Sequence, residues 1–210
     1  MQKIILDFLN SLSGFDNAVI NGISATHCGF LTFITKAVSF LGEMGMIFIL
    51  LSVLFMLFKN TRALGFMMIG AIIIGALFTN VLLKGYVMRP RPFESGDYNY
   101  FELWSRVGAP SESGYSFPSG HATCTAAAMT ALCIRLNKRY IPVFVFIMLF
   151  MSFSRVYLLV HYPTDVIAGM IVGTVSAIIA RYIVRLIYLI CYKNKDKKFF
   201  NFIIEFDIRK

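Results

Sequence analysis

The stretch that decides the fold reads IPVFVFIMLFMSFSRVYLLV at residues 141–160, HYPTD at 161–165 and VIAGMIVGTVSAIIARYIVRLIYLI at 166–190. A helix needs about 20 apolar residues to cross the hydrocarbon core of a bilayer, and both apolar segments reach that length. The short polar segment between them has room only for a turn. The stretch therefore predicts two neighbouring membrane-spanning helices with their joining turn at the membrane rim.

The rest of the chain extends this pattern. Of its 210 residues, 58% are hydrophobic and only 15% are charged, which lies well outside ordinary soluble composition. Three further apolar segments, at 40–58, 63–83 and 118–136, are long enough to span. The last of these is rich in Ala and Thr, which suits a helix at the centre of a bundle. The sequence thus predicts an all-α, polytopic membrane helix bundle of five transmembrane helices.

The two ends of the chain are less uniformly apolar. Polar residues interrupt the segment 14–39, so residues 1–39 are interpreted as amphipathic helices on the outer membrane interface, with a sixth span as the alternative. Residues 40–192 then form the transmembrane domain. Residues 193–210 form a basic cytoplasmic tail, which is predicted to lie as a helix or strand on anionic lipid.

The net charge of +9 comes from Lys and Arg at the ends of the apolar segments, so the sequence predicts no nucleic-acid partner. Short loops rich in these residues mark cytoplasmic ends, and here they are 59–62, 135–139 and 193–198. The loop 84–117 and the turn 161–164 are then expected on the extracytoplasmic side of a cell membrane. The four cysteines show no zinc-like spacing and are interpreted as small buried hydrophobes.

Ionisable side chains cluster beside the spans in three short stretches: KGYVMRPRP at 84–92, PSGH at 118–121 and SRVYLLVHYPTD at 154–165. Membrane segments exclude such side chains unless they serve a function, so the clusters predict a functional site. Lys84, Arg91 and Arg155 supply three cations. Arginine contacts phosphate oxygens in a bidentate manner and lysine acts as a point charge, so one phosphate group suits this set.

The PSGH stretch precedes an apolar helix. Ser119 is placed to cap the N-terminus of that helix, and Gly120 lets a ligand approach the backbone closely. The first N–H groups of a helix point out of its end, along the favourable direction of the macrodipole. The stretch is therefore predicted to bind an anion.

Two histidines remain, which matches the two nitrogen roles of covalent phosphoryl transfer: one neutral ring attacks phosphorus and one protonated ring gives a proton to the leaving oxygen. Asp165 lies four residues after His161, across a Tyr-Pro turn. It is therefore within reach to accept a ring N–H and fix the tautomer of His161. The sequence predicts His161 as the nucleophile and His121 as the general acid.

These stretches resemble the three signature motifs of the type-2 phosphatidic-acid phosphatase superfamily. The matching positions are Lys84, Arg91, Pro92, Pro118, Ser119, Gly120, His121, Ser154, Arg155, His161 and Asp165. The resemblance implies a helical bundle in which His161 forms a phosphoenzyme intermediate, His121 protonates the leaving group and the remaining basic residues, with Ser119 and Gly120, bind phosphate. It implies no metal ion and no other cofactor. The N-terminal 40 residues and the tail lie outside it.

The resemblance implies an integral-membrane lipid phosphatase whose partners are a lipid phosphate substrate and the surrounding lipids. An outward-facing site favours undecaprenyl diphosphate, with phosphatidylglycerophosphate or phosphatidic acid as the alternative, and Arg89 and Arg106 are expected to be spare cations at the site or headgroup anchors. In a different class, a small transporter would use the His, Asp and Arg side chains as an ion pathway, which predicts polar residues through the whole bilayer depth. The sequence leaves the oligomeric state open.

Overall fold

The computed structural model describes residues 2–42 and 45–209, and its described residues form helices, turns and loops without a strand. The helices are α1 (Gln2–Ser11), α2 (Ser13–Ser24), α3 (Gly29–Leu41), α4 (Met46–Met56), α5 (Arg62–Ala76), α6 (Lys84–Val87), α7 (Tyr98–Arg106), α8 (Gly120–Arg135), α9 (Ile141–Tyr157), α10 (Pro163–Lys193) and α11 (Lys198–Glu205). A wider, π-helical stretch at Leu77–Leu83 joins α5 to α6. The predicted all-α class is confirmed.

Among the described residues, three continuous helical stretches are long and apolar enough to cross a membrane: 62–94, 138–157 and 163–193. The pair α3 and α4, whose axes differ by 49°, would be a fourth if it acts as one broken span. The predicted third span is the 16-residue helix α8, which at about 1.5 Å per residue is shorter than a bilayer core. The predicted span 40–58 includes positions 43 and 44, which lie outside the described residues, so the number of spans stays a prediction.

Helix α8 lies at the centre of the bundle, as its small residues predict, and packs against α5, α9 and α10. Most of its residues from Ala122 to Leu132 are buried. The packing is close because α10 presents glycine to it: a Cβ at Gly173 would lie 2.3 Å from the carbonyl oxygen of Thr123. The small residues of α10 therefore serve contacts within this chain.

The ionisable stretches meet at one end of the bundle. Successive long helices run in opposite directions, so the C-terminal ends of α6 and α9 lie beside the N-terminal ends of α8 and α10. Two backbone hydrogen bonds tie these ends together, from Ser116 N to Arg89 O at 2.8 Å and from Ser119 N to Asp165 O at 3.0 Å. Residues that are far apart in the sequence are thereby held in one place.

Both chain ends dock on this bundle. Helix α2 contacts α9 and α10, and α3 lies along α9. The tail, for which helix and strand were both open, contains the helix α11, and Arg62 donates to the carbonyl oxygen of Ile203 at 2.8 Å. The placement of residues 1–39 and 193–210 on membrane interfaces stays a prediction.

Candidate active site

A cavity of 680 Å³ opens at the end of the bundle where the three stretches meet. Helix α3, the loop 110–113, His121 at the start of α8, and Arg155 at the end of α9 line it. The volume lies in the range of small-ligand sites, about 300–1,000 Å³. The cavity therefore has room for the headgroup of a lipid.

His161 lies buried in the turn between α9 and α10, with only 1% of its surface exposed. Its Nε2 atom is 3.4 Å from Nη1 of Arg91, so this nitrogen faces the cationic side of the site. Its Nδ1 atom lies 3.4 Å from the hydroxyl of Ser116 and 3.8 Å from Oδ2 of Asp165. A proton on Nδ1 leaves the lone pair on Nε2, which is the arrangement that a nucleophilic imidazole requires.

Burial lowers the pKa of His161 from 6.5 to about 4. The neighbouring Asp165 favours the protonated ring and opposes this shift, whereas the positive charges of Arg155 and Arg91 add to it. The shift favours the neutral ring, in which the Nε2 lone pair faces Nη1 of Arg91.

Asp165 is held by its position at the start of α10. Pro163 begins this helix, and the Asp165 carboxylate accepts a hydrogen bond from the backbone N–H of Tyr162 at 2.9 Å, which closes a capping box. The Ser116 hydroxyl donates to the same carboxylate oxygen at 2.5 Å. The ring of His161 therefore has two neighbours at Nδ1, the Asp165 carboxylate and the Ser116 hydroxyl, and both contribute to its orientation.

Arg89 completes the network from the other side. Its Nη1 atom donates to Oδ1 of Asp165 at 2.6 Å, and its Nη2 atom donates to Asp16 at 2.8 Å. The guanidinium is buried and stacks on the ring of Tyr162, 3.7 Å from its centroid. The expectation that Arg89 is a spare cation or a headgroup anchor is wrong, because two buried carboxylates already pair with it.

Arg106, the other expected spare cation, lies on α7 and pairs with Glu102 at 2.6 Å on the exposed surface. It does not line the cavity. The expectation that it serves the site is therefore also wrong.

Arg91 is fully buried and is held by the protein backbone. Its side chain donates to the carbonyl oxygens of Gly114 at 2.9 Å, Val160 at 2.8 Å and Ser113 at 2.8 Å. These bonds use three of its five N–H groups. The remaining N–H groups face His161 and Glu112, so the guanidinium is held beside Nε2 of His161.

Glu112 bridges the two arginines of the site. One carboxylate oxygen accepts from Arg155, and the other lies 3.5 Å from Nη2 of Arg91. Partial burial favours the neutral acid, but the charges of Arg155 and Arg91 outweigh burial and lower the pKa of Glu112 below its ordinary value. The space between the two guanidiniums therefore already accommodates an anionic group.

Of the remaining predicted site residues, His121 lines the cavity, whereas Lys84, Ser119 and Gly120 lie near it without lining it. His121 lines the cavity at the start of α8, close to Arg155 and His161. Ser119 is the N-cap of α8 and accepts from the N–H of Ala122 at 3.5 Å.

Lys84 is half-buried at the start of α6, near the charges of Arg91, Arg155, Glu112 and Asp165. Gly120 is partly exposed, and a Cβ there would meet only Asn80, at 3.7 Å.

The sequence did not point to four residues that shape the site: Asp16, Ser39, Glu112 and Ser116. Asp16 holds Arg89 and Thr164, and Ser39 accepts from Arg155. Glu112 bridges two arginines, and Ser116 contacts both His161 and Asp165. Ser116 lies two residues before the PSGH stretch, which is its only sequence signal. Among the described residues, no group of three or more His, Cys, Asp or Glu side chains is arranged to hold a metal ion.

Comparison with known proteins places this geometry in a family. The sequence profile of the PAP2 superfamily matches residues 61–188, which include every predicted site residue. The chain belongs to the PAP2 superfamily. Asp16 and Ser39 lie before the matched region, so part of this PAP2 site comes from a segment that the family profile does not cover.

Three relatives show the range of the similarity. The chain is 31% identical over 129 residues to an undecaprenyl-diphosphatase of Sulfolobus acidocaldarius, covering 61% of this chain and 59% of the relative. It is 28% identical over 168 residues to a lipid A 4'-phosphatase of Bacteroides thetaiotaomicron, covering 77% and 73%. It is 31% identical over 156 residues to a decaprenylphosphoryl-5-phosphoribose phosphatase of Mycolicibacterium smegmatis, covering 73% and 81%.

Two solved structures share the fold. Aquifex aeolicus LpxE superposes with a TM-score of 0.66 at 22% identity, covering 78% of this chain and 92% of that one. A transmembrane PAP2-type phosphatidylglycerolphosphate phosphatase from Bacillus subtilis gives a TM-score of 0.63 at 22% identity, covering 90% of both chains. These structures confirm the membrane PAP2 fold, and the helices of this chain are those of a membrane protein.

Proposed function

We propose that this PAP2 protein is an integral-membrane lipid phosphatase that hydrolyses a phosphate or diphosphate headgroup through a phosphohistidine intermediate. The observation that carries the proposal is the position of Nε2 of His161, beside a guanidinium that backbone carbonyls aim at it. Arg155 and His121 line the adjoining cavity, whose lining does not include His161 or Arg91. The Glu112 carboxylate contacts both arginines and so connects the two places. A terminal phosphate fits the position of that carboxylate with its negative oxygens on the same cations.

The proposed reaction has two steps. In the first, Nε2 of His161 attacks phosphorus, the phosphorus–oxygen bond to the leaving group breaks, and His121 gives its proton to the leaving oxygen. In the second, His121 takes a proton from water, the water oxygen attacks phosphorus, and the phosphorus–nitrogen bond breaks to release inorganic phosphate. Asp165, together with Ser116, orients the ring of His161, and its carboxylate stabilises the positive charge of that ring in the intermediate.

Undecaprenyl diphosphate is the proposed physiological substrate, and phosphatidylglycerophosphate or phosphatidic acid are the alternatives. The support is the similarity to a protein named undecaprenyl-diphosphatase, together with the proposed extracytoplasmic side of the site. The sequence matches only 59% of that relative's length, so the substrate is taken from the relative as a proposal. Relatives named for lipid A and for a decaprenyl phosphoribose compound make a substrate panel necessary.

The proposed orientation rests on the distribution of positive charge. The end of the bundle opposite the site has a second cavity, lined by Lys59, Arg135, Arg181 and Arg185. Such cations mark the cytoplasmic end of membrane helices. We therefore place the catalytic cavity on the extracytoplasmic side of the cell membrane. In intact cells, a membrane-impermeant thiol reagent is expected to label Ser105→Cys, made in a Cys28→Ser background; labelling only after lysis would reverse the orientation.

The activity is tested with purified protein in detergent and excess EDTA, by measuring phosphate release from undecaprenyl diphosphate, phosphatidylglycerophosphate and phosphatidic acid. We expect hydrolysis of at least one of these lipids, inhibition by vanadate, and loss of at least a thousandfold in kcat for His161→Ala. Arg106→Gln is the matched control, because Arg106 is exposed outside the cavity. Full activity of His161→Ala, or no release from any lipid by the wild type, would refute the proposed function.

A transporter remains the candidate of a different class, and the arrangement of charges speaks against it. Lys84, Arg91, His121, Arg155 and Asp165 all lie at helix ends on one side of the bundle. An ion pathway needs polar groups along the whole depth of the bilayer. These five side chains are instead gathered near one end of the bundle, as a site for one ligand requires.

A further inference from the structure

We propose that Lys36, one helical turn from Ser39 on α3, binds the second phosphate of a diphosphate substrate and so makes the enzyme selective for diphosphates over monophosphates. This inference rests on the proposed lipid phosphatase function and names its substrate class. Lys36 lies outside the three PAP2-like stretches and before the region that the family profile matches.

The placement of α3 is the first support. Lys36, Ser39 and Phe40 are spaced i, i+3 and i+4, so they share one helix face, and this face lines the catalytic cavity together with His121 and Arg155. Nη1 of Arg155 donates to the hydroxyl of Ser39, which fixes this face against the phosphate site. Residues three apart have Cβ atoms about 5–6 Å apart, so Lys36 reaches a group adjacent to the one that Arg155 holds.

The surroundings of the Lys36 ammonium are the second support. It lies against Gly108, where a Cβ would be only 2.5 Å from Nζ, and Gly108 has a φ of +85° that glycine readily adopts. Across residues 2–42 and 45–209, no ion pair joins Lys36 to a carboxylate. The Lys36 side chain is thus exposed at the cavity with its ammonium beside Gly108, and none of the described carboxylates pairs with it.

The chemistry explains why a diphosphate suits this cation. When His161 attacks the terminal phosphate of a lipid diphosphate, the leaving group is a lipid monophosphate, which carries negative charge next to His121. A cation at that position stabilises the leaving group as its charge develops in the transition state. The leaving group of phosphatidic acid is a neutral glycerol hydroxyl, which offers Lys36 no charge to bind. The arginines bind the terminal phosphate in both cases, so only the diphosphate uses Lys36.

The test compares farnesyl diphosphate with farnesyl phosphate, which differ only by the second phosphate. The measured quantity is the ratio of kcat/KM for the diphosphate to kcat/KM for the monophosphate, in wild type, Lys36→Met, Lys36→Arg and the control Arg106→Gln. We expect the ratio to fall about tenfold in Lys36→Met, to be largely restored in Lys36→Arg, and to be unchanged in Arg106→Gln. In Lys36→Met, the concentration of free inorganic pyrophosphate that half-inhibits farnesyl phosphate hydrolysis is expected to rise by a similar factor.

The outcomes separate this inference from the function beneath it. If wild type hydrolyses both compounds and Lys36→Met lowers both kcat/KM values equally, Lys36 has only a structural role and the inference is overturned. An unchanged ratio in Lys36→Met overturns it as well. If Lys36→Met changes only the inhibition by pyrophosphate, Lys36 binds free diphosphate without selecting the lipid diphosphate, and the proposed selectivity is overturned. Wild type that hydrolyses neither compound nor the lipid panel would defeat the proposed function and this inference together.

Discussion

Replacing Asp16 with Asn tests whether helix α2 holds in place the turn that carries His161. The Asp16 carboxylate is 1% exposed and accepts three hydrogen bonds: from Arg89 Nη2 at 2.8 Å, from Thr164 N at 2.9 Å and from Thr164 Oγ1 at 2.8 Å. Asparagine keeps the shape but removes the charge and one acceptor oxygen. Helix α2 would then lose its ion pair with Arg89, and its hydrogen bonds to Thr164 in the first turn of α10, which directly follows His161, would weaken.

The size of the effect follows from these contacts. Breaking a buried ion pair costs about 3–5 kcal/mol, but Arg89 keeps Asp165 as a partner, so we expect a loss of about 2–3 kcal/mol. For a chain of this length that corresponds to a decrease in melting temperature of roughly 4–12 °C. We also expect kcat to fall about tenfold with little change in KM, because the turn that carries His161 is held less rigidly.

The assay is thermal unfolding in detergent, followed by the fluorescence of Trp104, the only tryptophan, together with phosphate release. Asp7→Asn is the matched control, because Asp7 lies exposed on α1. The double variant Asp16→Asn/Arg89→Gln is expected to be more stable than the sum of the single effects indicates. Strict additivity, or a melting temperature for Asp16→Asn equal to that of the control, would refute the reasoning.

Three further results are expected. Ser116→Ala should lower kcat about tenfold or more with KM nearly unchanged, because His161 loses one of its two neighbours at Nδ1 and Asp165 loses a hydrogen-bond donor. An equal kcat would contradict a positioning role of Ser116. In ¹⁵N-histidine NMR, the His161 ring should stay neutral down to about pH 4. Because the pKa of His161 in the folded protein is below 6.5, the free energy of unfolding should fall by up to about 3 kcal/mol as the pH drops from 6.5 to about 4. Protonation of the ring near pH 6.5 would contradict the described burial. Gly173→Ala should lower the melting temperature by several degrees, because the added Cβ would overlap the main-chain carbonyl of Thr123 in α8. Gly22→Ala is the control, because a Cβ at Gly22 would have no atom within 4 Å. Equal melting temperatures for the two variants would contradict the close packing of α10 against α8.

Much of the site can be predicted from the sequence because charge is costly in a membrane. His161, Asp165 and Arg155 flank apolar segments, and side chains of this kind remain at such positions only where they serve a function. The short turn between α9 and α10 then forces His161 and Asp165 to be neighbours. The catalytic roles assigned to these residues stay predictions until they are measured.

Arg89 shows where sequence reasoning stops. In the RPRP segment, Arg89 and Arg91 look alike, and only the folded chain shows that one pairs with Asp16 and Asp165 while the other faces His161. Tertiary contacts decide this difference, since each guanidinium takes the partner that the packed helices bring to it. A local pattern contains no information about a carboxylate more than 70 residues away.

The residues of the polar segments were equally hard to predict. Glu112 and Ser116 lie in a loop rich in Ser, Gly and Pro, where a further polar residue gives no signal. The apolar pattern of α3 predicts a helix but not the helix it contacts, so Lys36 and Ser39 could not be assigned to the cavity. Burial of a polar side chain against a distant partner becomes visible only once the bundle is assembled.

The central claim is that phosphate is transferred to His161, and the most direct measurement is the site of covalent labelling. His121→Asn, mixed with p-nitrophenyl phosphate, whose leaving group needs no proton, should accumulate the phosphoenzyme because the base for the water step is absent. After an alkaline quench and trypsin, we expect an acid-labile phosphate on the peptide 156–181, in which His161 is the only histidine. Phosphate on another peptide, or an acid-stable ester, would contradict the account.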